Sequence, residues 1–103
     1  MAVLALTELA RDDVDGIYDY IGEQERRPAT ADKVVTEIID ACWSYAASFA
    51  AGSVLGSARD DLGESYRVFT HKRWVVVFRP IENGIEVLRV VDGSRDYGQL
   101  FGH

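Results

Sequence analysis

Cysteine occurs once in 103 residues, at Cys42, so the chain can form no internal disulfide. Histidine is almost as scarce: His71 and His103 are too few for most metal sites, and His71 has no cysteine or acidic neighbour at ligand spacing. It reads as a surface residue. The opening MAVLALTELA lacks the basic start of a secretory leader, so the expected location is cytoplasmic. The one long uncharged run, residues 41–58, holds four serines and two glycines and follows directly on a charged helical pattern. A buried helix end running into a loop is expected there, and not a membrane span.

Basic residues are also in short supply where they would matter for nucleic acid. Residues 1–58 carry four Lys or Arg against ten Asp or Glu, residues 59–103 carry seven of each, and the whole chain stands at −6. Affinity for a phosphate backbone comes from counterion release by cations, so neither direct nucleic-acid binding nor anionic membrane binding is expected. Phosphate-cradling glycine patterns are missing too, because the segment from Gly52 to Gly56 lacks the Lys-Ser/Thr ending. No cofactor is implied. Cys42 falls on the apolar side of a helical pattern with no base nearby, which marks a small core residue and not a nucleophile.

What is present is the composition of one compact domain spanning residues 1–103, with 48% hydrophobic and 27% charged residues. A short apolar run over residues 2–6 fits a strand. Thr7 then stands as an N-cap with Glu8 near the positive end of the dipole. Ala10, Val14, Ile17 and Ile21 recur on one helical face, Arg11, Asp12, Asp15 and Asp19 take the other, and Gly22 is expected to end the helix. After residues 23–27, Pro28 suits a first helical turn, and Ala31, Val34, Val35, Ile38, Cys42, Tyr45 and Phe49 continue at helical spacing to Gly52. So short a connection predicts an antiparallel helical hairpin. Residues 50–63 read as loop.

From Ser65 the period changes to that of strands, over residues 66–70, 74–79 and 85–91. Asn83-Gly84 is the expected two-residue hairpin turn. That register puts Val76 opposite Val91, with Trp74, Val76, Phe78, Val87 and Val91 on one face and Val75, Val77, Leu88 and Val90 on the other. The fold class is therefore α+β, in the order β-α-α-β-β-β, with a helical hairpin packed on one face of a mainly antiparallel sheet. Both sheet faces are apolar, a pattern seen when each is covered. One helix pair covers only one. Four medium apolar side chains left open would forfeit about 6–12 kcal/mol of burial. Either residues 50–63 and the C-terminal segment fold over the second face, or a partner does, and a partner is the simpler remedy. Tyr18, Tyr20 and Trp43 stand partly outside the inner stripes, and aromatics of this kind are enriched at interfaces. Asp12-Asp13 and Asp60-Asp61 read as solvated charge. Arg89, Asp92, Ser94, Arg95, Asp96 and Tyr97 crowd where the last strand ends, which is where function tends to sit.

The opening LTELARDDVDGIYDYI, the long second helix, Tyr66-Arg67-Val68-Phe69, residues 74–79 and above all the closing EVLRVVDGSRD resemble the ParE branch of the RelE/ParE toxins of type II toxin–antitoxin systems. The resemblance runs nearly end to end. It implies a plasmid-stabilisation-type toxin that inhibits DNA gyrase by binding it, and a ParD-like antitoxin that wraps the toxin. It implies target contact, or support of the C-terminal region, by Arg89, Arg95, Asp96, Tyr97 and Phe101. Antitoxin contact would fall to Tyr18, Tyr20, Trp43, Val75, Val77, Leu88 and Val90. The RelE branch instead cleaves mRNA on the ribosome, using several basic residues on the sheet face and a late aromatic hydroxyl. Here those positions align with Val75 and Phe101, and only Arg95 remains, too little to move a proton and stabilise a phosphorane. Asp92 and Ala51 stand where many ParE relatives carry His and Pro. The alternatives are a RelE-type endoribonuclease and a non-toxic antitoxin-binding module.

Overall fold

A computed structural model describes residues 1–94 and Gly98. Strand β1 (Val3–Leu6) leads into helix α1 (Glu8–Asp19), a π-helical turn (Tyr20–Gln24) and helix α2 (Pro28–Ala50). Strands β2 (Ser57–Ala58), β3 (Arg67–His71), β4 (Trp74–Ile81) and β5 (Gly84–Asp92) follow. The sheet runs in the order β1-β5-β4-β3-β2, with β1 parallel to β5 and every other pair antiparallel. The expected α+β arrangement is present, with one short edge strand more than expected.

The helical stripes lie where their spacing put them. Ala10, Val14, Ile17 and Ile21 are buried, as are Ala31, Ile38, Cys42 and Ala46 of α2. They close over Trp74, Val76, Phe78, Ile85 and Val87. Tyr45 stacks on Phe69 at 3.9 Å between ring centroids, and Phe49 meets Phe78 edge-on at 5.7 Å. Such offset and T-shaped geometries suit the ring quadrupoles. Burial pushes the Cys42 thiol up to about 12, so it stays protonated as an ordinary core group. Helix α1 does not stop at Gly22. Its hydrogen bonding lengthens after Asp19 into the π-helical turn, where Glu25 N–H donates to the Tyr20 carbonyl at 3.1 Å, and Ile21 stays in the core.

Thr7 caps α1 as expected, accepting from the Ala10 N–H at 3.1 Å, and its hydroxyl also donates to the Leu88 carbonyl at 2.9 Å. The second bond has a topological reason. Strand β1 pairs with β5 only as far as Leu6↔Val87, so beyond that point the edge of β5 would lie bare. Thr7 and Asp13 take over the ladder. The Asp13 carboxylate accepts from the Val90 N–H at 2.9 Å and from Arg89 Nε and Nη2 at 2.7 and 2.9 Å.

The β4–β5 hairpin corrects the expected register. Ile81 pairs with Gly84, so the turn is Glu82-Asn83, and only Asn83 has positive φ (62°). Gly84 is needed inside the strand instead, because a Cβ there would overlap the Val3 carbonyl of β1. A bulge between Val77 and Phe78 then adds one residue on β5, giving Val76↔Val90 and Val75↔Val91. Since a one-residue slip exchanges faces, Val90 lies under the helices and Val91 on the far side, the reverse of the expectation.

The far face also departs from expectation. Val75, Val77 and Val91 are buried there with Leu62, and Tyr66, Val68 and Leu88 pack around them. The cover comes from residues 59–66, two consecutive turns closed by Leu62 N–H to Arg59 O at 3.0 Å and Tyr66 N–H to Gly63 O at 3.1 Å. Arg59 braces them with a bidentate pair to Asp61 at 2.7–2.8 Å. Of the two possible covers, a native segment closes this part of the face, so these valines require no partner to be dry.

Candidate binding surface

Of the residues expected to contact a target, Arg89 alone lies in the described part of the chain; Arg95, Asp96, Tyr97 and Phe101 fall outside it. Arg89 is occupied. Its guanidinium faces the Asp13 carboxylate as a fork, and this hydrogen bond holds the arginine even more firmly protonated than usual. That makes Arg89 an anchor between α1 and β5. Just beyond, Asp92 accepts from the N–H and hydroxyl of Ser94 at 2.9 and 2.8 Å and faces Arg73 at 3.4 Å, fixing the exit of β5 against the β3–β4 turn.

The residues expected to meet an antitoxin divide into two groups. Tyr18, Tyr20 and Trp43 are 41%, 48% and 47% exposed, open enough for a partner. Val75 and Val77 are inside the far-face cluster and Val90 is inside the helix-side core, while Leu88 is half-buried. Tyr18 faces Asp32 across the hairpin, and interaction with that carboxylate raises the tyrosine pKa. Trp43 lies eleven residues further along α2, about 16 Å at the helical rise. The three aromatics therefore offer two separate footholds.

A groove that was not apparent in the sequence lies at the end of the hairpin. It encloses about 230 Å³ between the π-helical turn, the start of α2 and the β3–β4 turn, lined by Ile21, Glu25, Arg27, Thr30, Val34, Lys72, Arg73 and Trp74. Arg73 lies over the Trp74 ring at 4.5 Å, a cation–π contact. Beside it, Glu37 of α2 binds Lys72 at 3.0 Å and His71 at 3.3 Å. The Lys72 hydrogen bond, aided by His71 and opposed by partial burial, holds the Glu37 carboxyl below its ordinary range. His71 is thus a partner in a helix-to-sheet clamp and not a free surface residue. The signal for the groove was the pairing of two basic doublets, Arg26-Arg27 and Lys72-Arg73, in separate connections that only the fold brings together.

The remaining strand arginines also hold the chain to itself. Arg67 donates to the Leu55 and Gly56 carbonyls at 2.8 and 2.7 Å, and Arg79 pairs with Glu86 at 2.7 Å. Among the described residues no group of three His, Cys, Asp or Glu is placed to hold a metal ion, and no helix is long and apolar enough to cross a membrane.

Comparison with known proteins gives a concordant picture. The family model described as ParE toxin of type II toxin–antitoxin system, parDE, matches residues 4–97. Among solved structures, a chain of the chromosomal ParDE toxin–antitoxin system from P. aeruginosa superposes with a TM-score of 0.68 at 25% identity, covering 89% of this chain and 96% of the other. No curated protein matches.

Proposed function

The chain belongs to the ParE toxin family of type II toxin–antitoxin systems, and from that premise we propose that it inhibits DNA gyrase by binding and is neutralised by a ParD-like antitoxin. The observation that carries binding over ribonuclease chemistry is the occupation of the strand arginines. Arg67 holds a loop, Arg79 pairs across the hairpin and Arg89 anchors α1. Residues 74–78 between them are buried and apolar. In-line attack by a ribose hydroxyl needs groups free to move a proton and to stabilise charge at phosphorus, and these groups are already engaged.

Target contact, or support of the C-terminal region, is assigned to Arg95, Asp96, Tyr97 and Phe101, which follow in sequence a β5 that Arg89 and Asp92 hold in place. Antitoxin contact is assigned to Tyr18, Tyr20 and Trp43. Leu88 is the member of the expected apolar set with surface to offer, since Val75, Val77 and Val90 are interior. We assign the chain a cytoplasmic location and the plasmid-stabilisation-type role that the family resemblance implies. Induced expression is expected to arrest growth with a DNA-damage response, and co-expression of the neighbouring antitoxin gene to relieve it. Normal growth at confirmed soluble expression would remove the toxin reading. If complex formation were then retained, the chain would be a non-toxic antitoxin-binding module.

A further inference from the structure

We infer that the outer edge of β1 pairs with the same edge of a second copy of this chain, antiparallel about Leu4, giving a closed two-fold dimer with one continuous sheet. Strand β1 ends the sheet on one side and β2 on the other. A strand edge is a row of backbone donors and acceptors open to another strand, and proteins blunt it by shortness, charge, proline or a bulge. Strand β2 is blunted by its length of two residues. Where β5 runs on past Leu6, Thr7 and Asp13 take up outward-facing backbone groups. Strand β1 has no such device. Its sequence Val-Leu-Ala-Leu holds neither charge nor proline, and its register with β5 runs from Val3↔Gly84 to Leu6↔Val87 without a bulge.

The phase of the hydrogen bonding selects the occupant. Val3 N–H donates to the Asn83 carbonyl at 2.8 Å and Thr7 N–H to the Val87 carbonyl at 3.0 Å. Alternate residues of a parallel strand face the same neighbour, so Val3, Ala5 and Thr7 turn their backbone groups to β5, and Ala2, Leu4 and Leu6 turn theirs outward. These three positions are symmetric about Leu4. A second β1 laid antiparallel therefore matches Ala2 with Leu6, Leu4 with Leu4 and Leu6 with Ala2, and each match exchanges two hydrogen bonds. The same patch serves both copies, so the contact closes at two. The side chains agree with this register. Leu4 and Leu6 already pack against the helix-side core, and Val3, 41% exposed, gains the partner's Ala5 directly opposite. The net charge of −6 does not oppose the pairing, because residues 1–7 carry no acidic or basic side chain. Glu8, the first beyond them, ends about 20 Å or more from its counterpart, at least two Debye lengths at physiological salt. A charged peptide strand finds no opposite charge on β1 to recognise it, whereas a second copy supplies both the matching phase and the matching apolar faces.

The test is sedimentation equilibrium of the purified chain over a series from low to high micromolar concentration. The mean mass is expected to rise from 11.5 kDa toward twice that value and no further. Val3→Lys sets two like charges diagonally across the pair, about 7–8 Å apart at the backbone, and is expected to weaken dimerisation at least about tenfold, as is Val3→Glu. An equimolar mixture of the two folded variants is expected to recover the dimer, because opposite charges then face each other, and a loss caused by misfolding would not be repaired by mixing. Should either variant fail to fold, Ala2→Pro asks the same question: it removes an outward donor, leaves the β5 ladder alone and is expected to weaken the dimer at least about threefold. A mass of 11.5 kDa at every concentration overturns the inference, as does growth beyond two copies, which an open chain of edge-to-edge contacts would give. A dimer unmoved by Val3→Lys or by a folded Ala2→Pro, or a mixture of folded variants that stays monomeric, overturns the β1 pairing. Loss of antitoxin affinity in Val3→Lys beside a monomeric wild type also overturns it and gives the edge to an antitoxin strand.

Discussion

On one side of the sheet, α1 and α2 bury Trp74, Val76, Phe78, Ile85 and Val87 under two full helical stripes and an aromatic cluster. On the other, the turns of residues 59–66 set Leu62 onto Val75, Val77 and Val91, with Tyr66, Val68 and Leu88 around it. The first side is closed by periodic structure and the second by one well-placed side chain. The difference teaches that an apolar strand face in a short sheet does not by itself demand a partner. Burial of apolar area is non-directional, and a two-turn loop supplies enough of it when the patch is a few side chains wide. Partner binding on this molecule is therefore better sought in its exposed aromatics than in its buried valines.

Substitutions on the two sides sharpen that contrast. Phe78→Ala, at a fully buried ring touched by Tyr45, Phe49 and Phe69, is expected to cost about 3–5 kcal/mol in denaturant unfolding, the range for a large core truncation. Leu62→Ala is expected to cost about 2–3 kcal/mol and to increase binding of a hydrophobic dye. A loss near zero would mean that Leu62 does not close the far face. Where the sides meet at the β5 edge, Asp13→Asn keeps the shape but removes the charge opposite Arg89. It should cost about 1–3 kcal/mol, less than for a wholly buried pair because both side chains retain some solvent contact. Thr7→Ala, which loses the cap and its bond to Leu88, is expected to cost about 1 kcal/mol in thermal unfolding.

The smallest effect is one of pH. Glu37 has a lowered pKa in the folded chain, so the stability it adds is present above the ordinary glutamate value and is lost as pH falls through the lower folded value. Glu37→Gln should be less stable than the wild type at neutral pH, and the two unfolding curves should converge in acid. Parallel curves down to the acid limit would mean that the clamp to Lys72 and His71 adds nothing.

The helices were legible because repetition specifies them. Ala10, Val14, Ile17 and Ile21 repeat at the helical period, and Thr7 before Glu8 marks where the pattern starts. The hairpin register was not legible, because Asn83-Gly84 fits a turn locally while the glycine is required by a contact with Val3, distant in sequence. The bulge at Val77/Phe78 leaves no local mark, and with the shifted turn it reverses the faces of Val90 and Val91. Leu62 stands alone in a polar stretch, so no period singles it out as a cover. Asp13 looks like its neighbour Asp12, and only the end of β1 at Leu6 explains why one of them caps β5. The groove is least local of all, since its basic residues come from two connections far apart in the chain.

Purified DNA gyrase supercoiling relaxed plasmid, run beside a translating ribosome reaction with the same preparation of this chain, tests the proposed action most directly. Loss of supercoiling with the message intact, reversed by stoichiometric antitoxin, is the predicted result. Full supercoiling beside a cleaved message would contradict it and make the chain a ribonuclease.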